Sequence, residues 1–295
     1  MALIKLTDAV FVLKAPTNIG VIKAADGSAV VIDTGIDESV ARKLLRELEH
    51  EGLQIKAIIN THAHADHIGG NSFIVSRTGA VIYASEAETA LLENPLLEPS
   101  MLIGGAYPWK EMRNKFLLAK PSTVSEKLTD GTVTINNIPL EIIPLAGHSL
   151  GHIGVLYDGV LFTGDAYISA LALEKYSIPY NVDIPTYLSS LEKLDSIQCQ
   201  WFVPSHGDPA QDISRDLENN RTTVLKQIQL LEDWLHEPQT AEELLVKLCS
   251  HLDTSAANPS LFFLYRTAVL AYLSYLYETN RVKTTLQDNR LLWLK

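Results

Sequence analysis

The chain has 295 residues, of which 46% are hydrophobic and 20% are charged, a composition that is typical of globular proteins and excludes fibrous and disordered classes. At about 150 residues per domain, this length predicts two domains, or one large α/β unit with an appendage. The formal net charge of −11 opposes binding to phosphate backbones and anionic membranes, so neither a nucleic-acid partner nor a membrane surface is expected.

The sequence carries no sign of export or of a membrane anchor. Cys199 and Cys249 do not form a C-x-x-C motif, and they indicate neither a disulfide framework nor a redox pair. The N-terminal segment lacks the continuous apolar core and the cleavage site of a signal peptide, so we expect a cytoplasmic protein. The segment 261–277 is apolar nearly all round, but it is short for a membrane span and contains Arg266, which favours a buried helix.

The first half of the chain predicts a layered α/β fold. Residues 29–60 change their hydrophobic period twice and predict strand, helix and strand, a βαβ unit with parallel strands. Gly52 follows this helix as a C-cap signal. The pattern then predicts a helix near 70–76, a strand at 80–83 and a helix at 85–92. Residues 93–127 contain scattered Pro and Gly among aromatic residues and predict an irregular lip.

The second half predicts antiparallel strands followed by helices. Strands are expected at 132–137, 139–145, 153–157 and 160–164, and the dipeptide Asp158-Gly159 predicts a tight hairpin turn between the last two. A helix at 184–194, a short strand at 201–204 and a long helix to about residue 236 follow. We expect a first domain at 1–208 and a second at 209–295.

The second domain, residues 209–295, predicts helix, helix and hairpin, an order that resembles a winged helix. Thr240 and Pro259 are typical first residues for two of its helices. Acidic residues outnumber basic ones in this segment, and the would-be recognition helix offers only Arg266. We therefore expect packing or homodimerisation through this domain rather than DNA binding.

The strongest chemical signal is the segment THAHADH at 61–67, which follows a predicted strand. Loops at strand ends are where α/β proteins carry their sites. Alternate residues of an extended loop point the same way, so His62 and His64 can converge on one ion while Asp66 and His67 face a neighbouring ion. The spacing therefore predicts two metal ions.

Three further candidate ligands also follow predicted strands. His148 would complete a three-histidine zinc site that leaves one position open for water. Asp165 and His206 are candidates for the second ion, which needs more oxygen and nitrogen donors.

These motifs, H-x-H-x-D-H followed by G-H, T-G-D and H-G, resemble the signature of the metallo-β-lactamase superfamily over about residues 1–208. The resemblance implies that this domain is catalytic and folds as an αββα sandwich. It also implies a winged-helix-like C-terminal extension. It implies further that Asp33 supports the metal loop from behind, for which a turn residue after a buried strand is the competing explanation. The implied ligands are His62, His64 and His148 for one metal and Asp66, His67 and His206 for the other, with Asp165 bridging them.

The resemblance also implies a chemistry. Two divalent cations about 3.5 to 4 Å apart lower the pKa of a bridging water toward 7 and polarise the oxygen of the electrophile. Asp66 is the candidate for orienting the nucleophile and passing its proton to the leaving group. His152 is expected to brace a ligand rather than to bind metal. The candidate substrate contacts, for which ordinary loop packing is the competing explanation, are Tyr107, Trp109, Tyr167, Tyr176 and Tyr180.

The expected function is a hydrolase with two zinc ions per chain, or with manganese or iron instead, that cleaves a small ester, thioester or lactone. A thioesterase could use Arg215, Arg221 and Lys226 to bind the carboxylates of a thiol carrier. A phosphodiesterase or nuclease is an alternative, and so is a non-catalytic binding protein. A sulfur oxygenase of the persulfide dioxygenase type, with one iron held by two histidines and an aspartate, would leave His67 and His206 without a role.

Overall fold

The computed structural model describes residues 3–175 and 177–295. Its strands are β1 (Leu3–Lys5), β2 (Val10–Leu13), β3 (Ile19–Lys23), β4 (Ser28–Ile32), β5 (Gln54–Ile59), β6 (Val81–Ser85), β7 (Glu126–Leu128), β8 (Gly131–Ile135), β9 (Ile138–Pro144), β10 (Ile153–Tyr157), β11 (Val160–Gly164), β12 (Trp201–Pro204), β13 (Lys283–Gln287) and β14 (Arg290–Leu294). Its α-helices are α1 (Glu38–His50), α2 (Ala65–Ile68), α3 (Asn71–Thr78), α4 (Glu86–Glu93), α5 (Leu97–Leu102), α6 (Ala170–Lys175), α7 (Ile184–Ser196), α8 (Ser214–Trp234), α9 (Ala241–His251) and α10 (Pro259–Glu278). A short 3₁₀ helix covers Lys110–Met112.

Two β-sheets lie face to face. The first has seven strands in the order β1 to β7, antiparallel up to β4 and parallel from β4 onward. The second has five strands in the order β12-β11-β10-β9-β8, with a parallel pair only between β11 and β12. Apolar side chains from both sheets, such as Ile32, Ile59, Ile142 and Val155, form the core between them.

Helices cover the outer face of each sheet. Alternate residues of a strand point to opposite faces, so Ile142 enters the core between the sheets while Ile143 packs under helices. Helices α1 and α3 cover the first sheet, and α7 and α8 cover the second. This arrangement confirms the predicted αββα sandwich.

Helix α1 shows how local sequence fixes an element. The Asp37 carboxylate accepts hydrogen bonds from the backbone N–H groups of Ser39 and Val40, which caps the helix start. Val40, Leu44 and Leu48 form its buried face. Gly52 lies just beyond the C-terminal end of this helix. Its φ of +68° is the left-handed conformation expected of a glycine after a helix end.

The predicted elements between residues 29 and 208 are present, with bounds that differ by a few residues. The N-terminal strands β1 to β3 were not predicted from the sequence. The lip at 93–127 contains α5, the 3₁₀ helix and β7, joined by irregular segments.

The C-terminal segment contributes to the same core as the second sheet. Buried residues of α8, α9 and α10, such as Leu231, Leu245 and Tyr272, join Leu191 of α7 in one apolar cluster. Thr240 and Glu243 form a capping box at the start of α9. The hairpin β13–β14 follows, so the predicted order of helix, helix and hairpin is present, while a winged-helix fold remains a prediction.

Helix α10 contains the apolar segment 261–277, and its inner face is buried in this cluster as predicted. Arg266 on this helix forms an ion pair with Glu242. Within residues 3–175 and 177–295, none of the helices combines the length and the hydropathy needed to span a membrane.

Candidate metal centre and the adjoining cavity

Three histidine nitrogens converge at the ends of two strands. His62 and His64 lie in the loop after β5, and His148 lies in the loop between β9 and β10. The Nδ1 atom of His64 lies 2.9 Å from Nε2 of His62 and 3.0 Å from Nε2 of His148. Three imidazoles whose ring nitrogens face one another in this way form a typical zinc-binding set.

A second group of donors lies beside the first. Nε2 of His206, after β12, lies 3.3 Å from Oδ2 of Asp66, and Nε2 of His67 lies 3.7 Å from the same oxygen. Oδ2 of Asp165, at the end of β11, lies 3.5 Å from Nε2 of both His67 and His206 and 3.6 Å from Nε2 of His148. Asp165 therefore lies between the two groups, and the structure brings all seven predicted ligands together.

Four of these imidazoles are oriented through their other ring nitrogen. Such contacts fix the tautomer and direct the remaining nitrogen toward a metal. The partners are Thr61 Oγ1 for His62, Asp33 Oδ2 for His67, the carbonyl oxygen of Tyr180 for His148 and the carbonyl oxygen of Pro16 for His206, at 2.8 to 3.1 Å.

The donor set fits divalent metal ions. Nε2 of His67 and Oδ1 of Asp165 are buried without a hydrogen-bond partner. An unpaired polar atom in the interior costs about 1 to 3 kcal/mol, and coordination to a cation removes that cost. Imidazole and carboxylate are the ligands that zinc and related divalent ions use in proteins.

The two groups differ electrostatically. Burial, with the neighbouring imidazoles, lowers the pKa of His62 well below its ordinary value and lowers that of His64 to about 3, which favours the neutral form that binds metal. Burial also opposes the charged form of His206, but Asp165 and Asp66 outweigh it and raise the pKa of His206 to about 12. A metal ion at the second group therefore has to displace a proton.

Asp33 supports the metal loop from behind. It follows β4 with φ +60°, a left-handed conformation that is uncommon outside glycine. Its Oδ1 accepts the backbone N–H of Thr61 at 2.9 Å, and its Oδ2 accepts the Thr61 hydroxyl and Nδ1–H of His67, both at 2.8 Å. Asp33 thus supports the metal loop from behind, as the family resemblance implies.

His152 contacts a ligand residue through the backbone. Its Nε2 accepts the N–H of Asp165 at 2.9 Å, and its ring is buried. The ring therefore holds the backbone of Asp165 in place, in line with a bracing role.

Glu88 is a buried carboxylate that sequence reasoning missed. Its Oε2 accepts the backbone N–H of Ala63 at 2.9 Å, and its Oε1 accepts the Ser149 hydroxyl at 2.7 Å and the Gly151 N–H at 2.8 Å. The side chain therefore joins the loop that carries His62 and His64 to the loop that carries His148. The available signal was its position four residues before Leu92 on the buried face of α4.

The loop between β2 and β3 also supports the second group and was missed. The Thr17 hydroxyl donates to Oδ2 of Asp66 at 2.8 Å. The Asn18 side chain donates to the carbonyl oxygens of Pro204 and Gly207, at 2.8 and 2.7 Å, and so holds the loop of His206. Short polar loop residues of this kind have no periodicity that identifies them in a sequence.

The structure does not bring most of the predicted aromatic contacts to the metal groups. Tyr107 is 70% exposed on the lip, and the Trp109 ring packs against Phe263 of α10. Tyr167 is buried in the apolar cluster beneath the second sheet. Tyr176 lies outside the described residues.

A cavity of about 190 Å³ adjoins His64. The Tyr180 ring lies on its wall, with its centroid 5.6 Å from those of His64 and His148. Most of the lining surface is apolar. The lining residues are His64, Ala87, Glu88, Leu91, Glu98, Met101, Leu102, Ser149, Leu150, Tyr180, Val182 and Thr267.

The predicted cations of α8 lie elsewhere. Arg221 forms an ion pair with Glu192, and Arg215 and Lys226 are exposed on the same helix. None of the three lines the cavity beside His64.

The αββα sandwich and its two adjacent donor groups define a metal-binding α/β protein. The profile of the Metallo-beta-lactamase superfamily matches residues 13–206. The chain belongs to this superfamily, which confirms the family indicated by the sequence motifs.

Curated relatives are similar at low identity. A probable metallo-hydrolase of Bacillus subtilis is 30% identical over 200 residues, which are 66% of this chain and 83% of that protein. A hydroxyacylglutathione hydrolase of Methylobacillus flagellatus is 28% identical over 144 residues, 49% of this chain. The chain spans 45% of that relative and 57% of a similar enzyme from Prochlorococcus marinus, about half their length. With the His/Asp site, these relatives identify the chain as a metallo-hydrolase.

Solved structures share the fold along the whole chain. A metallo-beta-lactamase family protein of Thermus thermophilus is 22% identical with a TM-score of 0.77, and the match covers 99% of this chain and 100% of that one. A beta-lactamase domain protein of Burkholderia ambifaria is 18% identical with a TM-score of 0.75, covering 99% and 93%. The arrangement of the C-terminal helices on the sandwich is therefore shared with other proteins.

Proposed function

We propose that this chain is a dinuclear zinc hydrolase that cleaves a small ester, thioester or lactone. The observation that carries the proposal is the position of Asp165, whose Oδ2 lies 3.5 to 3.6 Å from ligand nitrogens of both donor groups. A site for a single ion would need only one group, whereas two groups that each offer at least three donor atoms lie side by side here, which supports two ions. The preponderance of imidazole donors favours zinc, and manganese or iron is the alternative.

The donor groups suit a hydrolytic reaction. Divalent ions held there supply an activated water nucleophile and polarise the oxygen of the scissile bond. Asp66 lies at the partly exposed side of the second group, with 26% of its side chain accessible. The Thr17 hydroxyl fixes one of its oxygens. A carboxylate held in this way can accept a proton from the attacking water and deliver it to the leaving group.

The cavity beside His64 supplies the substrate site of this proposal. It adjoins the three-histidine group, and its volume of about 190 Å³ suits a small group rather than a polymer. The hydroxyacylglutathione hydrolases among the relatives support a thioester as one substrate class, although the chain spans only about half of their length.

Elemental analysis together with a panel of hydrolysis assays tests the proposal. The purified protein is expected to contain about two zinc or manganese ions per chain. It should turn over one class among a lactone, a thioester and a carboxylic ester, in preference to a nitrocefin-type β-lactam and a phosphodiester. A single iron without hydrolysis would contradict the proposal and favour sulfur oxidation.

A matched pair of histidine variants assigns the metal to these residues. His206→Ala removes a donor of the second group and is expected to lower the metal content by about one ion per chain and to abolish turnover. His236→Ala changes an exposed histidine far from the donor groups in the sequence and should leave both properties unchanged. Equal metal loss in both variants would argue against the assignment.

A further inference from the structure

The cavity beside His64 has walls from three separate parts of the chain. Leu91 belongs to α4, Glu98 and Leu102 to α5 of the lip, and Thr267 to α10. The lip is fastened to α10, because Leu102 and two other buried lip residues pack against that helix. The Asn114 side chain of the lip also donates to the Ser260 hydroxyl of α10, at 2.8 Å. The C-terminal segment therefore closes one side of the cavity.

The charges on the cavity wall have one sign. No lysine or arginine is among the lining residues, all of which the structure describes. Two carboxyl groups are present, and Glu88 already accepts three hydrogen bonds from neighbouring loops. Glu98 of α5 is the other, and its carboxyl group takes part in no hydrogen bond or ion pair among the described residues.

An anion in this cavity would find no cationic side chain on the wall in either protonation state of Glu98. Burial raises the pKa of the Glu98 carboxyl, and the nearby charges of Asp66 and Glu88 raise it further. A neutral Glu98 offers at most one hydrogen bond, and an ionised Glu98 repels a second carboxylate. Transfer of an unpaired carboxylate from water into an apolar site is strongly unfavourable.

We propose that this cavity selects a substrate whose group beside the scissile bond is uncharged and apolar, and that Glu98 excludes anionic groups from it. The inference rests on the proposed hydrolase function and names the substrate class of that site. Under this proposal, the substrate preference of this chain differs from that of enzymes that bind glutathione thioesters, because the carboxylates of glutathione would find no cationic side chain on this wall. Thr267 limits the length of the accepted group.

A pair of esters of equal length tests the proposal on the metal-loaded full chain. The p-nitrophenyl ester of hexanoic acid and the p-nitrophenyl monoester of adipic acid differ by a terminal carboxylate. We expect kcat/KM to be at least about tenfold higher for the hexanoate, which corresponds to about 1.4 kcal/mol. Equal values, or a preference for the adipate, would overturn the proposal while leaving the hydrolase function intact.

Variants of Glu98 assign the discrimination to this residue. Glu98→Gln keeps the size of the side chain and should reduce the ratio of kcat/KM for the hexanoate ester to that for the adipate ester. Glu98→Lys should raise kcat/KM for the adipate ester by about tenfold or more. Glu111→Lys is the control, because Glu111 is exposed on the same lip and does not line the cavity. If Glu98→Lys and Glu111→Lys change the ester preference equally, Glu98 is not the determinant.

A binding measurement separates this inference from the proposed function. Hexanamide and the monoamide of adipic acid are titrated into the same metal-loaded protein by calorimetry. Tighter binding of hexanamide supports the inference even if neither ester is hydrolysed, in which case only the hydrolase proposal fails. Equal or tighter binding of the adipic monoamide would refute the inference.

The length limit is tested on α10. Thr267→Phe fills part of the cavity and is expected to raise KM for the hexanoate ester by about tenfold, with little change for the acetate ester. Ser274→Phe introduces the same side chain on the exposed face of α10 and should change neither KM. An unchanged hexanoate KM in Thr267→Phe would show that α10 does not bound the substrate.

Discussion

Replacing Glu88 by glutamine tests whether one buried carboxylate holds the two metal-binding loops together. Glu88 is 1% exposed and accepts hydrogen bonds from the Ala63 N–H, the Ser149 hydroxyl and the Gly151 N–H, at 2.7 to 2.9 Å. Glutamine has nearly the same shape, but one of its two terminal atoms is a donor. The substitution therefore changes the hydrogen bonding with little change in volume.

The cost follows from the two ways in which the amide can be placed. With its NH₂ group toward Ala63, the Ala63 N–H loses its acceptor. With the amide reversed, the Ser149 hydroxyl can turn to accept, but the Gly151 N–H is left unpaired. Either placement leaves one buried donor unsatisfied, at about 1 to 3 kcal/mol, and removes the charge from the remaining bonds, so we expect a loss of about 3 kcal/mol.

Two assays read out the effect. Urea unfolding of the metal-free protein, followed by tryptophan fluorescence, measures the free energy of unfolding. Competition with a chromophoric chelator measures zinc affinity, which we expect to fall about 10- to 100-fold at the group formed by His62, His64 and His148. The second group should be affected less. Of the three loops that carry it, only the loop after β5 is hydrogen-bonded to Glu88 among the described residues, through the Ala63 N–H.

Glu86→Gln is the matched control on the same helix. The Glu86 carboxylate is 75% exposed and pairs with Lys127 at the surface, so its loss should cost less than about 0.5 kcal/mol. If Glu88→Gln is as stable as Glu86→Gln and binds zinc equally well, Glu88 does not join the loops, and the hydrogen bonds assigned to it are wrong.

Three further outcomes are expected. Asp66→Ala should reduce kcat by about 10² to 10⁴ in protein that elemental analysis finds fully metal-loaded, and near-normal turnover would remove its proton-transfer role. Asp33→Ala should weaken zinc binding about 10- to 100-fold in chelator competition, because the His67 ring loses its partner, whereas unchanged affinity would contradict that support. Asp37→Asn keeps an N-cap side chain but removes the negative charge that interacts with the helix N-terminus and with Lys115, and it should destabilise the protein by about 1 kcal/mol at pH 7. The pKa of Asp37 is lowered to about 2, by its hydrogen bonds to Ser39 and by Lys115 against the effect of burial, so the stability it adds above pH 4 is lost as pH falls through 2. Urea unfolding should show that the difference in free energy of unfolding between wild type and Asp37→Asn is smaller at pH 3 than at pH 7. An equal difference at both pH values would refute this contribution of the Asp37 charge.

The sequence by itself predicted the metal ligands because their spacing is local. His62, His64, Asp66 and His67 lie within one loop, and an extended backbone alternates their directions without help from distant residues. The hydrophobic periodicity of the βαβ unit at 29–60 is also a local signal. A strand or helix that buries one face has apolar residues at the regular spacing of that face. His148, Asp165 and His206 were candidates because each follows a predicted strand, and the family resemblance then implied which metal each would bind.

The sequence did not identify β1 to β3, Glu88 or the Thr17 and Asn18 loop. Short strands at the start of the chain gain their stability from pairing with one another and with β4, which local propensity does not report. Glu88 lies on a buried helix face, but a glutamate in a sequence ordinarily predicts a surface position. Only the tertiary structure shows the three hydrogen-bond donors that stabilise this carboxylate in the interior.

The cavity was decided by tertiary structure alone. Its walls come from α4, the lip, the loops near Ser149 and Tyr180, and α10, segments that are far apart in the chain. The polarity and charge of the cavity wall depend on side chains that packing brings together from several segments. No single segment of the sequence therefore predicts them. Local spacing therefore predicted the candidate metal ligands, and long-range packing determined which side chains line the cavity beside them.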